Sequence, residues 1–337
     1  MYYFLDRVNN NKTYKELLTA ARDNKFIAVF GAQPNEKPFI VSGSRDFALY
    51  VCSDYVEAQR VYRTLSSICS GKVVYVPSKE DVLLYKRNVS KNVTFSRNRA
   101  LSDILHGADC AVVCVDALLQ FMPLRSRFFD DCFSIKKGVG YNTAELVKKL
   151  VGCGFVRVDS ISAEGEFVMR GDILDVSMPF EKRFRVDFFD DEAETIKTVN
   201  ADGTAAEEIL QADIYPLYET VGYPSSKLQE IQKYIRRLKL SQNAQTRLNE
   251  IVADLSLYGG SSVDSSWLIP FTRNSVLLDY LPADSVIFWD EPKQLKQRYL
   301  RKIRLKNGRL FDKRIKMHRQ SFAYFRKVFY ALSMLVI

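Results

Sequence analysis

The sequence predicts an α/β protein in which a parallel-sheet body is interrupted by a small antiparallel, β-rich insertion. Three observations carry this. In the first half, short apolar runs of strand length alternate with helical patterns. After residue 154, three strand-like stretches follow one another with no helix between them. Near residue 286 the buried-strand style of the first half returns.

Element by element, "KFIAVF", "FALYVCS", "KVVYVPS" and "CAVVCVD" read as strands. Between them, "YVEAQRVYRTLSSIC" sets Ala58, Val61, Leu65 and Ile68 at helical spacing. "SRNRALSDILHG" does the same with Leu101, Ile104 and Leu105, and stops at Gly107. "YNTAELVKKLVGCG" is a helix with both ends marked: Asn142 as N-cap, Glu145 three residues on, and Gly154 as the closing residue. "FVRVDSI", "EFVMRGDILDVSM" and "RFRVDFFDDEAETIKTV" are the consecutive strands of the insertion. Residues 226–257 are helical, through Leu228, Ile231, Ile235 and Leu238, then Leu248, Ile251, Val252 and Leu255. "YGGSSVDSS" is a loop, and "SVIFWDEP" is a strand that completes the body. The expected division is 1–133 for the first part of the body and 134–217 for the insertion. Residues 218–295 would complete the body with its helical segment, and 296–337 would form a basic C-terminal segment. The apolar ending "YFRKVFYALSMLVI" reads as a cut from a longer protein.

The composition excludes several function classes. The 337 residues are 47% hydrophobic and 26% charged, the balance of a globular protein. No apolar run reaches the ~18–20 residues of a membrane span. Asp6 and Arg7 interrupt the start too early for a secretory signal. The six scattered cysteines then read as reduced thiols of a cytoplasmic protein. The two histidines, His106 and His318, are too few and too far apart for a zinc cluster or a histidine-based catalytic centre. Charge is concentrated. Residues 293–337 hold 14 of the 49 Lys/Arg and one of the 40 acids, so this segment carries +13 and the rest −4. Such a segment can meet nucleic acid, form a solvated helix face, or link to a neighbouring domain.

Two motifs bear on chemistry. "GAQPNEKP" places Gly31 and Lys37 as in a phosphate-binding loop, G-x-x-x-x-G-K-[ST]. Glu36 stands at the second glycine and Pro38 at the hydroxyl position. A carboxylate there repels phosphate, and proline offers neither hydroxyl nor N–H. A nucleotide hydrolase also needs an acidic pair at the end of a buried strand. Asp290 and Glu291 end such a run in the α/β part. Asp191-Glu192-Ala193-Glu194 imitates an acidic box but lies in the insertion, where strand-end turn chemistry explains it.

The insertion carries the second motif. Alternation in "RFRVDFFDD" puts Phe184, Val186 and Phe188 on one face, and Arg185, Asp187 and Phe189 on the other. By the same rule Arg157 and Asp159 oppose Val156 and Val158, and Arg170 opposes Phe167 and Met169. The polar face is either an ordinary solvated face with one stray aromatic or a protein-binding surface, since Arg and aromatics concentrate at hot spots.

These residues also carry a resemblance. "GFVRVDSISAEGEFVMRGDILDV…FRVDFFDDEAETIKTV" resembles the UvrB-interaction module shared by bacterial transcription-repair coupling factors (Mfd) and the excision-repair protein UvrB. "VDALLQFMP", "IKKGVGYNTAELVKKLVGCGF" and "LLDYLPADSVIFWDEP" extend it on both sides, over roughly residues 26–315. UvrB has an intact phosphate loop, "DESH" in place of "WDEP", and a long aromatic hairpin for which "SKEDVLLYKRNVSKNVTFSRN" is too short. The coupling-factor branch resembles UvrB at its N-terminus but has lost the ATPase signatures there, a loss that Glu36 and Pro38 fit. The resemblance implies a UvrB-like, degenerate helicase-type body, with no catalysis and no cofactor of the chain's own. It implies UvrA as partner, recruited to stalled RNA polymerase. DNA, ATP and Mg would belong to a motor elsewhere in the parent protein. The basic segment would add at most weak DNA contact. The family's contact arginines and aromatic fall on Arg170, Arg185 and Phe189, with Arg157, Asp159 and Asp187 as weaker additions.

Overall fold

The computed structural model describes residues 10–22, 27–44, 46–79, 91–120, 122–180, 183–200, 203–219, 225–237, 241–258 and 275–309. Two compact units are built from these. One takes its residues from Met1–Lys79, Asp103–Gln120 and Val276–Ile337, the other from Glu80–Ser102 and Phe121–Ser275.

The first unit holds a four-stranded parallel sheet: β1 (Ala48–Cys52), β2 (Val73–Val76), β3 (Cys110–Cys114) and β12 (Val286–Trp289), in the order β12-β1-β3-β2. β12 comes from far along the chain yet pairs with β1 from Ala48 opposite Val286 to Val51 opposite Trp289. β1 and β3 are buried at every residue, which explains their continuous apolar runs. The helix Tyr55–Ile68 buries Ala58, Val61, Leu65 and Ile68, and the Asp54 carboxylate caps it by accepting from Val56 and Glu57 N–H. One expected strand is absent. Residues 27–30 of "KFIAVF" are irregular and exposed, Phe30 at 89%, and β12 and β3 are the strands beside β1.

The second unit is built on a six-stranded sheet: β5 (Val156–Arg157), β6 (Glu166–Arg170), β7 (Ile173–Val176), β8 (Arg183–Phe189), β9 (Glu192–Val199) and β10 (Ala205–Glu208). Pairing is antiparallel except between β5 and β6, which run parallel. The insertion is therefore not wholly antiparallel, because residues 158–165 carry the chain back before β6 begins. A two-stranded ladder joins β4 (Phe133–Lys136) to β11 (Gln211–Ile214). The helix Thr143–Gly152 is capped by Asn142, whose Oδ1 accepts from Glu145 N–H, and Gly154 closes it at φ +94°. Leu146 and Leu150 of this helix join Phe167, Leu174, Val176, Phe184, Val186 and Phe188 in one core.

The helices Ser225–Arg237 and Gln242–Tyr258 pack on each other through Leu228, Ile231, Ile235, Leu248, Ile251 and Val252. They fall in the second unit, whereas the division expected from sequence puts 218–295 with the parallel sheet. A buried ion pair also sits in this unit: Arg97 Nε meets Glu219 Oε1 at 2.6 Å with both side chains enclosed. Leu238, residues 259–274, the hairpin-position segment 80–90 and residues 310–337 lie outside the described residues, and so does the Leu255 side chain. The six cysteines are free thiols. Burial raises their pKa values, to about 11 at Cys69 and about 12 at Cys132.

Candidate docking face and phosphate-loop-like site

The polar face of the six-stranded sheet is fixed by register. Arg170 stands opposite Ile173, and Ile173 opposite Asp187. Val168, Asp175, Arg185 and Lys197 form the next row. Directly facing residues share one side of a sheet. A bulge lies between the pairs Asp187–Thr195 and Phe188–Ala193, with Glu194 as the extra residue on β9. β8 therefore keeps its alternation, and Phe189 stays on the side of Arg185 and Asp187, 69% exposed. Phe167, Val176 and Phe184 form a row on the other side and are buried.

This register separates one candidate from the rest. Arg157 pairs with Phe167, so it belongs to the core-side row at the open edge of β5, away from Arg170 and Arg185. Alternation misplaced it because β5 is only two residues long, and both are exposed. Asp159 lies beyond the strand, and its carbonyl accepts a hydrogen bond from Arg170 Nη2. The adjoining loop is fastened to the same face. Arg183 Nη2 reaches Ile161 O at 3.5 Å, and Glu166 Oε2 accepts from Ser162 and Ala163 N–H at 2.7 and 2.8 Å.

Side-chain chemistry on the face is paired. Arg185 Nε and Nη2 donate to Asp175 Oδ1 and Oδ2 at 2.8 and 2.9 Å, a bidentate cross-strand pair. That hydrogen bonding, against a smaller effect of partial burial, raises the Arg185 pKa. Asp187 accepts from Thr195 Oγ1 at 2.8 Å and lies 3.6 Å from Lys197 Nζ. Ile173 is 41% exposed between Arg170 and Asp187. Sequence reasoning missed Ile173, Asp175 and Lys197. Alternation within "ILDV", where Leu174 and Val176 are buried, would have found the first two. At the sheet end beside Phe189 are two tight turns, Gly171–Asp172 and Asp190–Asp191, with positive φ at Gly171 and Asp190. The acidic-box imitation is thus a turn followed by the start of β9.

In the first unit, Asp290 and Glu291 follow β12 directly, at the C-terminal ends of the parallel strands where α/β sheets hold ligands. Lys37 Nζ lies 2.7 Å from both Asp290 Oδ1 and Glu291 Oε1. Partial burial works against the ammonium, but these two hydrogen bonds outweigh it and leave the Lys37 pKa raised. Glu36 bends into its own loop, where Oε2 accepts from Gln33 N–H at 2.8 Å. Gly31 takes φ +82°, and Pro38 lies in the first turn of the helix Lys37–Ser42. Arg60 ties the loop down through Asn35 Oδ1 and Pro34 O, both at 3.1 Å. All six loop and strand-end candidates thus sit in one place, with the lysine neutralised by the acids and a carboxylate on a loop N–H.

Among the described residues no group of three or more His, Cys, Asp or Glu could hold a metal ion. No helix among them is long and apolar enough to cross a membrane.

Residues 133–219 match the UvrB interaction domain family. The chain is 20% identical to the transcription-repair-coupling factor of Staphylococcus haemolyticus over 313 residues, covering 87% of this chain and 26% of that protein. It is 24% identical to the Bacillus subtilis coupling factor over 254 residues, 71% of this chain and 22% of that one. UvrABC system protein B of Synechococcus elongatus is 21% identical over 316 residues, 85% of this chain and 47% of its own length. The chain spans less than half the length of these relatives. Residues 133–219 are thus similar to the UvrB interaction domain, and over most of its length the chain resembles the coupling factors and UvrB proteins.

Proposed function

We propose that this chain is an adaptor of nucleotide excision repair that binds UvrA through the polar face of its six-stranded sheet and performs no nucleotide chemistry. The observation that carries the reading is the coincidence of the UvrB interaction domain with a face bearing Arg170, Arg185, Ile173 and the exposed Phe189. An exposed aromatic on the same sheet face as two arginines has the composition of a binding hot spot. In a parent protein of the coupling-factor kind, UvrA bound here would be brought to stalled RNA polymerase, and ATP and Mg would serve a separate motor. The test is titration of the isolated chain with purified UvrA. Saturable binding that Arg170→Ala and Phe189→Ala weaken supports the reading, and absence of binding removes it.

A divergent hydrolase working through Lys37, Asp290 and Glu291 is the competing reading. It requires Lys37 to leave two carboxylates at 2.7 Å and Glu36 to leave the Gln33 N–H before phosphate could enter. A weak DNA contact has one specific support. In the helix Pro292–Arg309, Lys293, Lys296 and Arg301 are exposed, while Leu295 is buried and Arg298 is tied to Asp116 at 2.7 Å.

A further inference from the structure

The charged groups of the docking face are not equivalent. Arg170 gives a hydrogen bond to a backbone carbonyl of a neighbouring loop, but Arg185 is gripped by a side chain. Asp175 stands directly across from it in the β7–β8 register and uses both carboxylate oxygens. The Asp175 side chain is 14% exposed and the Arg185 side chain 33%. The carboxylate therefore lies low against the sheet and the guanidinium stands above it. Val168, buried, closes the row on β6, and Lys197 on β9 is engaged by Asp187 rather than by Asp175.

The consequence is chemical. Two parallel hydrogen bonds fix both the position and the plane of a guanidinium, because its N–H groups form a rigid fork. The edge carrying Nε and one Nη2 hydrogen is used inside the chain. The Nη1 edge is left, and it faces away from Asp175. An incoming carboxylate can meet that edge without breaking the internal pair.

We propose that Asp175 is a positioning residue of the docking face: it holds the Arg185 guanidinium so that its Nη1 edge meets an acidic group on the partner. This rests on the reading of the face as the UvrA-docking surface. Holding the side chain in advance removes the ordering cost of a long, flexible arginine at the moment of binding. The opposite role has a distinct signature. If Asp175 merely masked Arg185, its negative charge would repel the partner's carboxylate, and removing it would tighten the complex.

The experiment is a double-mutant cycle with purified UvrA as the probe, reading affinity and melting temperature together. Asp175→Asn is near-isosteric and keeps only one good acceptor. It is expected to weaken UvrA binding on the order of 3- to 10-fold, the cost of one loosely held side chain. In the Arg185→Ala background the same change is expected to do nothing, since there is nothing left to position. A merely structural role would lower affinity equally in both backgrounds. Should Asp175→Asn fail to fold, Asp175→Glu serves. It keeps the charge but moves the carboxylate by a methylene, so it is expected to weaken binding, whereas a face needing only the charge would bind unchanged. Tighter binding by Asp175→Asn, equal losses in both backgrounds, or an Arg185→Ala variant that binds normally would each overturn the proposal. If UvrA does not bind the unmodified chain, the docking reading itself fails and takes this proposal with it.

Discussion

Phe189 and Arg185 show how much one strand position decides. Phe188, the neighbour of Phe189, is buried in the core, while Phe189 is 69% exposed. Truncating Phe189 leaves the core packing intact, so Phe189→Ala is expected to leave the melting temperature unchanged. It should weaken UvrA binding by about 1–2 kcal/mol or more, roughly tenfold per ~1.4 kcal/mol. A melting-temperature loss comparable with that of Phe188→Ala would place Phe189 in the core instead. Glu219 is the opposite case. It is enclosed and paired with the enclosed Arg97 at 2.6 Å. Glu219→Ala leaves a buried guanidinium without its carboxylate, and breaking such a pair costs about 3–5 kcal/mol. Urea denaturation measures it, and a loss under about 1 kcal/mol would show that water or another group replaces the carboxylate. Lys37 adds a pH dependence. Its folded pKa is raised above the ordinary 10.5 by Asp290 and Glu291, despite the lowering effect of partial burial. A group with a raised folded pKa stabilises fully below its unfolded value and loses that contribution as pH rises through the folded value. The stability difference between the chain and Lys37→Met should therefore be constant through neutral pH and shrink only above about 10.5. Denaturation at a series of alkaline pH values checks the sign.

At the scale of elements, the helix Pro292–Arg309 and the strand β12 are joined end to end but have different work. β12 seats its four residues beside β1 and delivers Asp290 and Glu291 to Lys37. The helix that follows has eight basic residues and no acid, with Lys293, Lys296 and Arg301 on its exposed side. Any DNA affinity of the chain should reside here and beyond, where the +13 is concentrated. It should fall steeply with salt, with a log–log slope near −0.9 per phosphate neutralised. Glutamine at Lys293, Lys296 and Arg301 should flatten that slope by about 0.9 for every phosphate left without its cation. An unchanged slope in the triple variant would move the DNA-binding surface elsewhere. In other elements, the sequence rules for helices worked where burial is one-sided. Ala58, Val61, Leu65 and Ile68 are the buried face of their helix. Rules of the same kind failed at "KFIAVF", since an apolar run becomes a strand only if a neighbour accepts its backbone groups.

For the whole molecule, the adaptor reading makes a negative statement about nucleotide. Calorimetry of the chain with Mg-ATP is expected to show no saturable binding in the micromolar range. The motivation is the self-neutralised Lys37 and the carboxylate of Glu36 lodged on the loop N–H. Micromolar, saturable heat would restore the hydrolase reading. The sequence by itself determined the α/β character, the interruption by a β-rich insertion and the return of the body at β12, because burial writes periods of 3.6 and 2 and unbroken apolar runs directly into residue order. It also determined the two sides of β8, since alternation holds along a long strand whatever its neighbours do. Only the tertiary structure decided what faces what. Register put Arg157 on the core-side row, brought Asp175 to Arg185, and set Ile173 on the polar face beside Arg170 and Asp187. Chain reversal across more than 250 residues brought Asp290 and Glu291 to Lys37. Such pairings depend on the offset between segments distant in sequence. No local pattern encodes that offset, and a shift of one residue would turn each side chain to the other face.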